Sequence, residues 1–398
     1  MKIPYGRQNI DQADIDAVAE VLRGDWLTGG PTVGEFENSL EQRLGARHSA
    51  VCSSGTAALH LIMLSIGVDA DSVVVVPTLT FVASANAARY LGARIILADV
   101  DPETGLMEAH HIDEAVRRAG VARVDVVVSV HLAGQCADLE AIHITAADLG
   151  AIVVEDACHA LGTTHQSNRG KHTIGDCTFS SAAAFSFHPV KTIAVGEGGA
   201  ILTNDQDIDR RARLFRNHGM TRHPEDFSET DLAFDSSGTV NPWYYETVEL
   251  GFNYRASDIT CALGLSQLQK LSQFAEQRRM IAERYDDLFS DQAMALPLQR
   301  KRNCDPVLHL YVVRVDFDRL GIGRAKAMLA LQDRGVGTQV HYIPLHLHSF
   351  YRASNDPSDF PGANAYYRRC LALPLHPGLT EAMQEQVADA VIDVLRAQ

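Results

Sequence analysis

The sequence predicts an α/β protein: a large domain on a mainly parallel sheet, followed by a smaller C-terminal α/β domain. Three observations predict it. Short, continuous runs of β-branched residues alternate with helical patterns through about the first 250 residues. A polar, turn-forming and aromatic stretch at 221–247 then breaks the rhythm. Beyond it a long helical pattern opens a second, shorter alternation. Strands that are apolar throughout belong inside a sheet covered by helices on both faces, which is the parallel arrangement.

Each element can be justified in order. "SAVCSS" feeds the helix-like "GTAALHLIMLSIG", and "SVVVVP" feeds "SANAARYLG". "ARIILADVD" comes next, then a helix near 108–119, "VDVVVSVH", a helix near 138–149 and "AIVVEDA". "GAILTND" leads into "IDRRARLFRNHG". Ligands of such sheets sit in the crevice beyond the carboxyl ends of the strands. Residues 221–247 read as a long surface loop, and loops of that length inside compact domains are usually functional or mobile. Leucines, isoleucines and methionine at helical spacing predict a long helix from about Ser257 to Leu288. "LHLYVVRVDF", a helix near 324–334, "VGTQVHYIPLH" and a helix from about Thr380 compose the smaller domain. The expected division is 1–255 and 256–398.

Composition bounds the function. The chain has 398 residues, 46% hydrophobic and 21% charged, with mean hydropathy close to zero, as in a globular enzyme. The net charge of -15 is spread as mixed acids and bases. A nucleic acid or an anionic membrane wants a concentrated basic surface, so neither is favoured as a partner. The seven cysteines (Cys52, Cys136, Cys158, Cys177, Cys261, Cys304, Cys370) contain no C-x-x-C pair and read as reduced thiols, with no zinc or other metal site. "MKIPYGRQNIDQADI" has no apolar signal core, and no run approaches the roughly 20 apolar residues of a membrane span. The cytoplasm is the expected compartment.

Four features carry chemistry. In "SFHPVKTIAVGEGGAILTND" one lysine, Lys191, lies between a proline and a glycine run, and reads as a surface lysine on a loop or as an amine whose apolar surroundings let it lose its proton cheaply. Asp156 in "VVEDACHALG" ends a buried strand, as an N-cap or as the partner of a protonated ring nitrogen. "SSGTAALHL" opens a helix on small residues, so Gly55, Thr56 and Ala57 offer backbone amides and a hydroxyl to a phosphate. Phe81 follows a strand end in "PTLTFVASANAA" and reads as a core residue or as a plate for a planar ring. Together with Ser186, five residues before Lys191, these groups are what pyridoxal 5'-phosphate (PLP) requires. The lysine becomes a Schiff base, the acid holds the ring nitrogen's proton, and the amides grip the phosphate.

The whole chain resembles the DegT/StrS-like sugar-nucleotide aminotransferases, which are fold-type-I PLP enzymes. The resemblance rests on "DWLTGGPTVGEFE", "SSGTAALHL", "PTLTFVASANA", "HLAGQCADL", "VVEDACHALG", "FSFHPVKTIAVGEGGA", "LGFNYRASDITCALGLSQL" and "HYIPLH". It implies a seven-stranded sheet, Lys191 and Asp156 as the central pair, and His159 beside the ring. It further implies Thr56, Ala57 and Ser186 on the phosphate, Phe81 stacked on the ring, and Gln135 near the cofactor's hydroxyl. Asn253 is similar to a residue that reaches the neighbouring subunit's phosphate, so a homodimer with shared sites is expected. Relatives that remove a hydroxyl carry histidine at the lysine position, whereas this chain has Lys191, with His188 nearby. His159 stands where many relatives have glutamine.

By the same resemblance an amino group passes from L-glutamate to a ketosugar nucleotide, with Lys191 as anchor and then as acid and base. "IPYGRQNIDQADIDAV", "DWLTGGPTV", "SFHPVKTI" and "NYRASDITCALGLSQL" look most like the pseudaminic acid branch. That branch aminates carbon 4 of a UDP-linked 4-keto-6-deoxy-N-acetylhexosamine to UDP-4-amino-4,6-dideoxy-N-acetyl-β-L-altrosamine. The alternatives are viosamine, perosamine or bacillosamine-type aminotransferases, or a non-catalytic PLP-binding relative. In "HYIPLHLH", His341, His346 and His348 match no zinc spacing and read as core or surface histidines, whereas the resemblance implies His341 and Tyr342 at the mouth of the sugar-nucleotide pocket. Arg216, Arg255 and Tyr311 are further candidates for the nucleotide or the donor's carboxylates.

Overall fold

The computed structural model describes residues 2–396. Helix α1 (Gln12–Arg23) opens on a capping box in which Asp11 and Asp14 each accept the other's backbone amide. Helix α2 (Pro31–Leu44) starts on a proline and stops at Gly45, whose φ of 86° only glycine adopts readily. The sheet domain then runs β1 (His48–Cys52), α3 (Gly55–Ser65), β2 (Val73–Pro77), α4 (Ala83–Arg89) and β3 (Arg94–Ala98). It continues α5 (Ala109–Ala119), β4 (Val126–Val130), α6 (Leu139–Asp148) and β5 (Ile152–Asp156). A small hairpin, β6 (Thr164–Ser167) and β7 (Gly170–Thr173), precedes β8 (Ala182–Ser186), β9 (Gly199–Thr203) and α7 (Gln206–Arg216).

Seven strands form one sheet in the order β1-β9-β8-β5-β4-β2-β3. Only β9 runs against the others, pairing antiparallel with both β1 and β8. The carboxyl ends of β1, β8, β5, β4 and β2 therefore share one edge, with Ser186 and Cys52 both in register with Gly199. The valine runs of β2, β4 and β5 are buried, as their apolar pattern requires. Strand β8 was not among the expected strands. Its sequence, AAAFS, has no β-branched residue, but it pairs with β5 on one side and β9 on the other, and its three alanines are fully buried.

The 221–247 stretch is held at its base by β10 (Met220–Thr221) paired with β11 (Glu246–Thr247), around a single helical turn, α8 (Thr230–Ala233). The long helix expected from Ser257 is two helices, α9 (Asp258–Gln269) and α10 (Leu271–Phe289), divided at Lys270, whose backbone stands at φ -91° and ψ 0°. The remainder is β12 (Ala295–Pro297), β13 (Cys304–Asp305), β14 (Tyr311–Val315), α11 (Arg324–Asp333), α12 (Ser349–Arg352), α13 (Pro361–Arg369), β15 (Cys370–Leu373) and α14 (Glu381–Arg396). "VGTQVHYIPLH" forms no strand; it touches the small sheet through one bridge, Gln339 to Ala372.

Three apolar clusters hold the fold. One joins the valine strands to α3, α4 and α5; a second packs Phe36 and Leu40 of α2 with Phe185, Phe187, Cys261 and Leu268. The third gathers Tyr285, Phe289, Val313, Leu371, Val387 and Val391 with Ile3. At its edge Arg278 is fully buried, its guanidinium donating to the carbonyls of Leu308, His309 and Leu375 at 3.2–3.4 Å. Burial pulls its pKa down to about 10.

Candidate active site

A cavity of about 630 Å³ opens at the shared carboxyl edge of the strands. Asp156 ends β5 inside it, 6% exposed. Its Oδ1 accepts the Cys158 amide at 3.2 Å, and its Oδ2 accepts the Ser84 hydroxyl at 2.6 Å. Lys191 lies in the same cavity, on the turn after β8, where its amide donates to the His188 carbonyl. Burial lowers the pKa of its ammonium, with the Asp156 carboxylate among the groups working the other way. The amine is thus closer to its neutral, nucleophilic form than an exposed lysine.

Opposite Asp156 the wall is the start of α3. Ser54 caps the helix by accepting the Ala57 amide at 3.1 Å, so that amide is already engaged and Ala57 is buried beneath the surface. The N–H groups of Gly55 and Thr56 have no acceptor among the described residues. A Cβ on residue 55 would stand 2.8 Å from Cβ of Ser186 and 3.1 Å from Sγ of Cys158. Only glycine lets the helix start come this close to the Ser186 hydroxyl. A helix N-terminus with two free amides and two hydroxyls, Thr56 and Ser186, is a seat for a phosphate dianion.

His159 lies against the third wall, buried, with Ala133 donating to its Nδ1 at 3.3 Å and Tyr342 at 3.0 Å from its Nε2. Burial first, then the charge of Lys191, holds its pKa well below that of a free imidazole. His309 packs on it with ring centroids 4.4 Å apart, and burial first, then the His159 ring and Lys191, holds its pKa well below that of a free imidazole. His341, buried near Lys191, is pulled down to about 4. Phe81, 53% exposed, presents its ring to the cavity 5.9 Å from that of Tyr342.

The structure thus brings together Gly55, Thr56, Phe81, Asp156, His159, Ser186, Lys191, His341 and Tyr342. Other expected residues lie elsewhere. Gln135 is buried, its side chain committed to the Gln299 carbonyl at 3.2 Å and the Lys301 amide at 3.0 Å. Tyr311 does not reach the cavity: it is in the small-domain core, donating its hydroxyl to Asp286 at 2.9 Å. Arg216 is spent on Glu37, at 2.6 Å, and on the Val51 carbonyl. Asn253 bridges to Asn217, and Arg255 donates to Asn217 Oδ1 at 2.6 Å. Arg255 instead lines a separate cavity of about 720 Å³ beside Arg210, Arg213 and Arg222. Sequence reasoning missed Thr80, Ser84, Cys158, His309 and Tyr5, although the four-residue spacing of Thr80 and Ser84 was visible within "PTLTFVASANA".

The donor set fits PLP: an amine, a buried carboxylate across the sheet edge, and a phosphate seat that a single Cβ would fill. The description "DegT/DnrJ/EryC1/StrS aminotransferase family" matches residues 8–392. The chain belongs to this family. Members of the DegT/DnrJ/EryC1/StrS family are PLP-dependent sugar aminotransferases of the mainly parallel α/β fold described above, and this chain is such an enzyme. It is 34% identical over 397 residues to the spore coat polysaccharide biosynthesis protein SpsC of Bacillus subtilis, covering 99% of this chain and 97% of that one. Helicobacter pylori PseC, an aminotransferase involved in the biosynthesis of pseudaminic acid, superposes with a TM-score of 0.88 at 28% identity over the full length of both chains. Spr1654 of Streptococcus pneumoniae, solved in PLP and PMP forms, gives a TM-score of 0.87 at 25% identity, over 100% of this chain and 99% and 98% of the two solved chains.

Proposed function

We propose that this family member moves an amino group from L-glutamate to carbon 4 of a UDP-linked 4-keto-6-deoxy-N-acetylhexosamine. The product is UDP-4-amino-4,6-dideoxy-N-acetyl-β-L-altrosamine. The observation that carries the reading is Lys191 and Asp156 sharing one cavity with the phosphate seat, in a fold that follows PseC over its whole length. PLP supplies an aldehyde that takes the amino group and a ring that accepts electrons. The residues do the rest. Gly55, Thr56 and Ser186 bind the phosphate, and Asp156 keeps a proton on the ring nitrogen. Lys191 Nζ would hold the cofactor's aldehyde carbon and, as a free amine, would move the proton at the substrate carbon. Phe81 covers one ring face, and His159 holds Tyr342 at the sugar side with neutral His341 beside it.

We assign the working unit as a homodimer that brings Asn253 and Arg255 to the partner's site. Both stand away from their own chain's cavity, and Leu250, three residues before Asn253, is 85% exposed. We keep residues 1–255 and 256–398 as the two domains. The cytoplasm fits the seven free thiols, and no helix among the described residues is long and apolar enough to cross a membrane. The second reading is another NDP-4-keto-6-deoxyhexose aminotransferase, of viosamine, perosamine or bacillosamine type, and the likeness to SpsC, a spore coat polysaccharide biosynthesis protein, is compatible with it. Offering UDP-, GDP- and dTDP-linked ketosugars with nitrogen-15 glutamate decides between them. The label is expected in the UDP-linked amino sugar by mass spectrometry. Label in a GDP or dTDP product alone refutes the substrate, and label in no sugar refutes the reaction.

A further inference from the structure

Asp156 is not held by the strand alone. Ser84, in the first turn of α4, donates to its Oδ2 at 2.6 Å, and Thr80 lies 2.7 Å from the Ser84 oxygen. All three are buried, at 6%, 0% and 1% exposure. A serine hydroxyl has one hydrogen. The Phe81 carbonyl, at 3.2 Å, competes for it, but the shorter contact to a charged acceptor is the stronger. With that hydrogen committed, the Thr80 hydroxyl donates to Ser84. The chain runs one way, Thr80 to Ser84 to Asp156, each bond polarising the next. The connection carrying Thr80 is pinned in turn: the Thr78 hydroxyl meets Nδ1 of His346 at 2.8 Å, and Nε2 of His346 donates to Asn364 at 3.1 Å. This gives "HYIPLHLH" a structural use for His346 unrelated to metal.

We propose that Ser84, backed by Thr80, is a positioning residue that fixes the plane of the Asp156 carboxylate toward the cofactor's ring nitrogen. The inference rests on the aminotransferase reading above. With the Cys158 amide on one oxygen and Ser84 on the other, the carboxylate cannot turn about its last bond, and a lone pair stays free for the ring N–H. Without the serine hydroxyl the carboxylate is free to turn, and a cofactor ring bound there would lose a fixed partner for its N–H and accept electrons less readily.

The test uses the full-length, PLP-loaded enzyme. In Ser84→Ala, kcat is expected to fall about ten- to a hundredfold, the scale of a lost hydrogen bond to a charged group. The pH titration of the bound cofactor's absorption spectrum is expected to move, and the affinity of the apo protein for PLP to weaken. Ser84→Thr keeps a hydroxyl and is expected to restore all three to within about threefold. Thr80→Val is expected to shift the spectrum the same way, less far. Should Ser84→Ala not fold, Thr80→Val carries the test. A spectral titration that overlays the wild type, or a threonine variant as impaired as the alanine, overturns the proposal. A wild-type enzyme that moves no nitrogen from glutamate refutes the aminotransferase reading instead, whatever Ser84 does.

Discussion

Tyr342 stands 3.0 Å from Nε2 of His159, whose Nδ1 already accepts the Ala133 amide. That second bond fixes the tautomer: Nδ1 is bare, Nε2 carries the hydrogen, and the tyrosine oxygen accepts it. The tyrosine's own hydrogen is left for a ligand in the cavity. Tyr342→Phe is therefore expected to lower kcat/KM for the ketosugar about tenfold, and less for glutamate. Separate single-turnover measurements of the two half-reactions check this; equal losses in both count against it.

Lys191→Ala is expected to reduce turnover by at least about a hundredfold, as loss of a general acid and base does. Its folding should not suffer, because a desolvated ammonium costs stability rather than adding it. Thermal unfolding of the apo protein and borohydride trapping of PLP on the peptide holding residue 191 check both halves. Trapping on another lysine contradicts the assignment.

Gly55→Ala puts a methyl group 2.8 Å from Cβ of Ser186. The helix start must retreat or Ser186 must turn, which weakens the phosphate seat on either path. Apo stability is expected to drop by about 1–3 kcal/mol, the usual range for overpacking. Titrating the apo protein with PLP is expected to give an affinity weaker by tenfold or more. Unchanged affinity would move the phosphate elsewhere.

The buried histidines set an acid limit. His341 falls from 6.5 to about 4, and His159 and His309 lie well below 6.5, burial being the first cause in each. Between those values the unfolded chain binds protons that the native chain refuses, so stability rises with pH there and is lost on acidification. For His341 the full loss is on the order of 3 kcal/mol. Denaturant unfolding of the apo protein from pH 7 to pH 4 is expected to slope downward, less steeply in His341→Asn. A flat profile would mean that these imidazoles are solvated.

Much of this site was legible in the sequence because its chemistry is local. Asp156 ends an apolar run, Lys191 follows a proline turn, and Gly55 opens a helix; each signal lies within about ten residues. What stayed hidden depends on distant packing. The alanine-rich β8 is a strand because β5 and β9 pair with it on either side, partners that no local pattern announces. Tyr311 looked available beside "LHLYVV" until β12 and β15 closed over it and Asp286 took its hydroxyl. Arg216 looked like an anion binder, but its partner Glu37 lies 179 positions away. Ser84 was passed over because a small polar residue in a helix carries no sign of the carboxylate it will meet.

Ile3 and Tyr5 have a consequence for biosynthesis. Ile3 exchanges backbone hydrogen bonds with Gly335 and Gly337, the Tyr5 carbonyl accepts from Leu375, and Tyr5 lines the cavity. A stretch that leaves the ribosome before the whole sheet is thus seated by residues translated hundreds of codons later. Until Leu375 emerges, the nascent polypeptide has a vitamin B6 pocket missing one wall, and premature loading onto Lys191 would meet an open, wet cleft.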